Sequence, residues 1–221
     1  MTKSAAVTAP RPVRLDVARE TLNGDLTVPS NAAGLVVFAH GSGSSRHSAR
    51  NRSVAEVLHH GGLATLLLDL LTEEEERLDA VTAEYRFDIS LLADRLVDAI
   101  DWAEAHPDLA SLRIGLFGAS TGAAAALIAA ARRPGAVRAV VSRGGRPDLA
   151  EGSLNAVVAP TLLIVGGNDE VVVEINQKVF ERLKEPKALE IVPGATHLFE
   201  ESGALDRVAQ LACTWFEQYL R

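Results

Sequence analysis

The sequence predicts an α/β protein: one mostly parallel sheet of about eight strands, opened by an antiparallel hairpin and covered by helices on both faces. Three observations carry this expectation. Strand-like and helix-like segments alternate without a break from Gly34 to the C-terminus. The strand segments "GLVVFAH", "LATLLLD" and "PTLLIVG" are continuous apolar runs, as expected where helices bury both faces of a sheet. The chain has 221 residues, 48% of them hydrophobic, which is enough for a sizeable core.

Taken in order, residues 1–11 are small and polar and read as a flexible tail, with a single domain over 12–221. "VRLDVARETLNGDLTVP" reads as two short strands with turn chemistry at Asn23-Gly24. "GLVVFAH" is the first buried strand. "ARNRSVAEVLHHGG" is a helix stopped by Gly61-Gly62, with His59 and His60 facing the negative end of its dipole. "LATLLLD" is the second buried strand. The acidic run Glu73 to Glu76 is a solvated face or a helix start. "FDISLLADRLVDAIDWAEAHP" is a long helix ended before Pro107. Then follow strand "LRIGLFG", helix 121–133, strands "VRAVVS" and "PTLLIVG", helix "VEINQKVFERLK", strand "KALEIV" and a last helix over 203–220.

Composition excludes several classes of function. Twenty-nine acidic residues against 22 basic ones give a net charge of −7, the wrong sign for a nucleic-acid or anionic-membrane surface. The single cysteine, Cys213, allows no intrachain disulfide and sits in an amphipathic helical pattern as a core thiol. The N-terminus lacks the apolar stretch of a secretory signal, and no apolar run approaches the roughly 20 residues that span a bilayer. The expectation is a cytoplasmic enzyme without metal or organic cofactor.

Two strand ends are rich in glycine and hydroxyl residues, and strand ends are where ligands bind in such sheets. "FAHGSGSSRHS" opens like a dinucleotide-binding turn, with Asp69 where a ribose-binding acid could sit. However, Arg46 occupies the third glycine position, and a hairpin precedes the strand. The two tyrosines, Tyr85 and Tyr219, also lack a lysine four residues on. The other strand end, "GASTG", matches a nucleophile elbow around Ser120, on a strand and leading into a helix. Gly118 and Gly122 leave room for the crossing chain, and the helix N-terminus presents free N–H groups to a developing oxyanion.

A serine nucleophile requires a base, and in this arrangement the acid and the histidine follow the serine in the chain. Downstream of Ser120 lies one histidine, His197, in "VPGATHLFEE". Asp169 follows the strand "LLIVGG" and is the expected acid, with Glu170 as fallback. An N-cap is the competing role for Asp169. The backbone N–H groups of Thr121 and Ser42 are the expected oxyanion donors, and His40 shapes the "HGSG" loop. Arg46, Arg143 and Arg146 border the same strand ends and could hold an anionic group of a substrate. Pairing with Asp148, Asp69 or Glu74 would remove them from that role.

"HGSGSS", "FGASTG", "GGNDE" and "GATHLF" together resemble the α/β-hydrolase superfamily over nearly the whole chain, and within it the small dienelactone hydrolases and related carboxylesterases. The resemblance implies an α/β-hydrolase fold. It also implies no cap domain, since only "RGGRPDLAEGSLNAVVA" stands where a lid would be inserted, and hence an open site for small or surface-presented esters. Dienelactone hydrolases proper carry a cysteine nucleophile, where this chain has Ser120. The expected activity is a serine hydrolase acting on small carboxylic esters or lactones. Acyl transfer by the same residues, or a non-catalytic binding or regulatory role, is the alternative.

Overall fold

The computed structural model describes residues 9–17, 20–184 and 186–221. They form an eight-stranded sheet in the order β1-β2-β4-β3-β5-β6-β7-β8. The strands are β1 (Arg11–Val17), β2 (Glu20–Thr27), β3 (Gly34–Ala39), β4 (Ala64–Leu68), β5 (Arg113–Ala119), β6 (Val137–Arg143), β7 (Thr161–Gly166) and β8 (Lys187–Val192). β2 pairs antiparallel with both β1 and β4, and every other pairing is parallel. The helices are α1 (Ala49–His60), α2 (Glu73–Thr82), α3 (Ile89–Ala105), α4 (Thr121–Arg132), α5 (Glu170–Arg182) and α6 (Ala204–Leu220).

The apolar runs of the central strands are buried on both faces. Leu35 and Val37 of β3 pack with Leu92 and Leu96 of α3 and Leu127 of α4. Their neighbours Val36 and Phe38 face the other way, into a second core with Leu58 of α1 and Phe216 of α6. The chain leaves β3 toward β4 on one side and later returns to β5 on the other. The carboxyl ends of β3 and β5 therefore flank a point where strand order reverses, the usual place for a ligand crevice.

Three expectations need correction. Asn23-Gly24 is not a turn: both residues lie within β2, opposite Arg14 and Val13. A Cβ at Gly24 would come within 3.0 Å of Leu66 Cδ1, so the glycine serves packing against β4. β1 begins at Arg11, the last residue of the expected tail, and residues 1–8 of that tail lie outside the described residues. His59 lies in the last turn of α1 but brings no charge to the helix dipole. It is buried, its Nε2 lies 2.7 Å from Thr65 Oγ1, and burial pushes its pKa down to about 4.

The glutamate run is a helix start. Thr72 and Glu75 form a reciprocal capping box on α2, and Glu75 also accepts from Arg95 at 2.9 Å. Cys213 is half-buried, and burial raises its pKa to about 11, which keeps the thiol protonated and inert. Between β6 and β7 the chain makes only a 3₁₀ segment, Pro147–Ala156. Among the described residues no helix is long and apolar enough to cross a membrane.

Candidate active site

β5 runs into α4 through a single residue, Ser120, whose backbone sits at φ 50°, ψ −120°. A residue with a Cβ pays for this conformation, which persists only where its surroundings over-determine it. Here Ser120 N donates to Arg143 O at 3.2 Å, and Ser120 O accepts from Ala123 N and Arg146 N, each at 3.1 Å. The two flanking glycines are required by contact. A Cβ at Gly118 would lie 2.4 Å from Ala123 Cα, and one at Gly122 would lie 2.4 Å from Ala39 O. The turn thus wedges the start of α4 against the end of β3. The Ser120 side chain is half-buried and makes no capping hydrogen bond on α4.

The loop after β3 lies against this turn, and a Cβ at Gly41 would come within 3.1 Å of Ser120 Cβ. His40 anchors the loop. Its Nε2 accepts from Leu70 N at 3.0 Å, which leaves the proton on Nδ1, and Nδ1–H donates to Gly41 O at 2.9 Å. Burial holds His40 below the ordinary histidine range and therefore neutral. The carbonyl it grips belongs to the peptide unit that carries the Ser42 N–H, so His40 orients that donor. Thr121 is the first residue of α4, so its N–H has no intrahelical acceptor. Behind the loop lies a cavity of about 320 Å³ bordered by His40, Ser42, Leu71, Asp79 and Arg86.

Asp169 ends the loop after β7, and His197 lies in the loop after β8. Asn168 N donates to Ala195 O at 2.9 Å and its Nδ2 donates to Gly194 O at 3.0 Å, which docks one loop on the other. His197 Nδ1 then meets Asp169 Oδ2 at 2.6 Å. Asp169 stands at the N-cap position of α5 without making a capping hydrogen bond, so its carboxylate is given to the histidine. Glu170, the neighbouring candidate, is exposed as the first residue of α5. On the other flank Gly144 follows β6, and a Cβ there would lie 3.6 Å from His197 Cε1. The imidazole is thereby held between the loops that follow β6 and β7, and β6 is the strand next to the one that carries Ser120.

The three arginines separate. Arg46 is bound to Asp69 through both its backbone N–H, at 2.7 Å, and its guanidinium, with Asp25 at 3.6 Å. Arg146 makes a two-point contact with Asp148 at 2.9 and 2.7 Å. Both therefore already hold carboxylates. Arg143 is only 8% exposed, and among the described residues its Nε and Nη1 have no hydrogen-bond partner. Its guanidinium carbon lies 6.0 Å from the centre of the Phe199 ring. Burial, with the nearby Arg50 charge, lowers its pKa to about 10. Sequence reasoning passed over Arg50 and Phe199. Phe199 adopts φ 56°, unusual for an aromatic residue and invisible in composition. Arg50 could have been noticed as a cation in the first turn of a helix, where acids are preferred.

Sheet order, the switch-point crevice and the turn at Ser120 define the α/β-hydrolase fold. Within it the chain belongs to the dienelactone hydrolase family, whose profile matches residues 22–220. A crystal structure of a dienelactone hydrolase from Anabaena variabilis is 58% identical, covers 97% of this chain and 100% of its own, and superposes with a TM-score of 0.95. A dienelactone hydrolase-like promiscuous phosphotriesterase from metagenomic libraries shares the fold at 19% identity, with a TM-score of 0.80 over 98% of this chain and 100% of its own. A Mycobacterium tuberculosis protein named as a phosphoribosyl transferase is 63% identical over 197 residues. That match takes in 89% of this chain but 44% of the relative, so the chain spans less than half of that protein's length.

Proposed function

We propose that the protein is a serine hydrolase of small carboxylic esters or lactones, with Ser120 as nucleophile, His197 as base and Asp169 as the residue that orients it. The observation that carries this reading is the combination of a strained serine at the end of β5 with the 2.6 Å Asp169–His197 contact after β7 and β8, at the same end of the sheet. Asp169 accepts from His197 Nδ1–H and so leaves Nε2 as the free base. Nε2 takes the Ser120 proton as Oγ attacks the ester carbonyl. The Thr121 and Ser42 N–H groups receive the developing negative charge, in a loop whose orientation His40 fixes. The alcohol leaves with the proton from His197, and a water activated by His197 then hydrolyses the acyl-enzyme. Neutral His197 is needed at both attacks.

The short 3₁₀ segment after β6 leaves the crevice open, which favours small or surface-presented esters. Acyl transfer would use the same residues with another acceptor in place of water. A panel of neutral esters graded by acyl length tests the reading. Hydrolysis should favour short acyl chains and vanish in Ser120→Ala with the fold retained. Turnover that survives this substitution would remove Ser120 from the mechanism.

A further inference from the structure

Every other well-shielded arginine in the described chain is answered by a carboxylate: Arg46 by Asp69, Arg86 by Asp79 and Arg95 by Glu75. Arg143 is not. Its Nε and Nη1 are buried without an acceptor, while the remaining nitrogen, Nη2, is reached by solvent. A buried cation without a counter-charge is costly, and proteins normally remove that cost with an acid or a bound anion. Phe199, whose ring lies against Arg143, is followed directly by Glu200, which pairs with Arg50 at 3.4 Å. Arg143 and Arg50 thus flank one two-residue stretch, just beyond His197.

Arg50 adds to the anomaly. Among the described residues its Nε is also buried without a partner, and its only carboxylate contact there is long and made to a side chain that is 65% exposed. It stands in the first turn of α1, which contains no acidic residue. The positive end of that helix therefore adds to two guanidinium charges. The Arg143 backbone carbonyl also binds Ser120 N, which ties this positive region to the crevice by one residue.

We propose that Arg143 and Arg50 form a subsite for a phosphate monoester group, and that the ester cleaved at Ser120 carries that group. A carboxylate offers one charge and two oxygens, and can satisfy one guanidinium. A phosphate monoester offers close to two charges and three terminal oxygens at neutral pH, and matches both guanidiniums at once. The second half of the proposal rests on Ser120 being the nucleophile, whereas the anion site stands without it.

The test uses the full chain and inorganic phosphate as probe, with binding followed by calorimetry in Ser120→Ala as well as in the unaltered protein. Phosphate should bind both, at least about tenfold more tightly than acetate. Arg143→Met and Arg50→Met should each weaken it about tenfold or more, the usual scale for a charge-assisted hydrogen bond. Arg50 is partly exposed, so its variant remains informative if Arg143→Met does not fold. In turnover, the acetate ester of 2-hydroxyethyl phosphate should exceed both ethyl acetate and the acetate ester of glycolic acid in kcat/KM. That advantage should collapse in the two variants. Absence of phosphate binding, affinity unchanged in Arg50→Met, or acetate binding as tightly as phosphate would overturn the subsite. Phosphate binding without turnover of any ester would leave the subsite standing and remove the nucleophile.

Discussion

Replacing Ser120 by glycine should stabilise the fold relative to replacing it by alanine, although both changes remove the hydroxyl. Ser120 is held at φ 50°, ψ −120° by one hydrogen bond through its N–H and two through its carbonyl. None of these depends on the side chain, so both variants keep them. A Cβ in so sparsely populated a region costs roughly 1–3 kcal/mol. Alanine keeps that cost and glycine removes it. Glycine in turn gives the unfolded chain more freedom, worth about 0.5–1 kcal/mol against alanine. The difference favours Ser120→Gly by about 1 kcal/mol, or roughly 2–4 °C in Tm for a domain of this size. Urea unfolding of the two variants side by side measures it. A glycine variant no more stable than the alanine variant would show that the turn stores no strain, and would remove the physical reason for a serine held at this point.

Three other outcomes follow from the same geometry. Asp169→Asn should lower kcat by about 10⁴, since the orienting carboxylate is lost, while Glu170→Gln should change it little; steady-state kinetics decides between them. His59 has its pKa lowered to about 4 by burial, so the unfolded chain binds the extra proton first as pH falls. Its contribution is complete above the unfolded value near ~6.5 and is lost down to the folded value, on the order of 3 kcal/mol in all. Unfolding curves at pH 7 and 4.5 should therefore show a smaller acid loss in His59→Gln than in the unaltered protein. Gly122→Ala would drive a Cβ to 2.4 Å from Ala39 O, where backbone must move. It should cost about 1–3 kcal/mol by overpacking and reduce turnover through the displaced loop after β3, read by thermal melts and kcat together.

Much of this fold was legible because its parallel strands are covered on both sides. Continuous apolar runs such as Leu35–Phe38 mark such strands, and their alternation with amphipathic helices leaves few architectures. The site was legible where chemistry constrains the backbone: Gly118 and Gly122 are dictated by contacts under 2.5 Å that no Cβ survives. Tertiary packing overrode local signals elsewhere. Asn23-Gly24 has turn chemistry, yet Gly24 is used for its small size against Leu66. His59 sits at a helix end, yet Thr65 and burial decide its charge. Pairings between distant residues were hidden in part. Asp69 and Asp148 were foreseen as partners for the arginines, but nothing local ties Arg46 to Asp25 as well, or leaves Arg143 without an acid.

The central claim is that Ser120 is activated as a nucleophile by the His197–Asp169 pair. A fluorophosphonate probe followed by peptide mass mapping tests it most directly, because only an activated serine reacts. The adduct should map to Ser120, be absent in Ser120→Ala, and form orders of magnitude more slowly in His197→Ala. An adduct on another residue, or labelling of Ser120 at an undiminished rate without His197, would contradict the account.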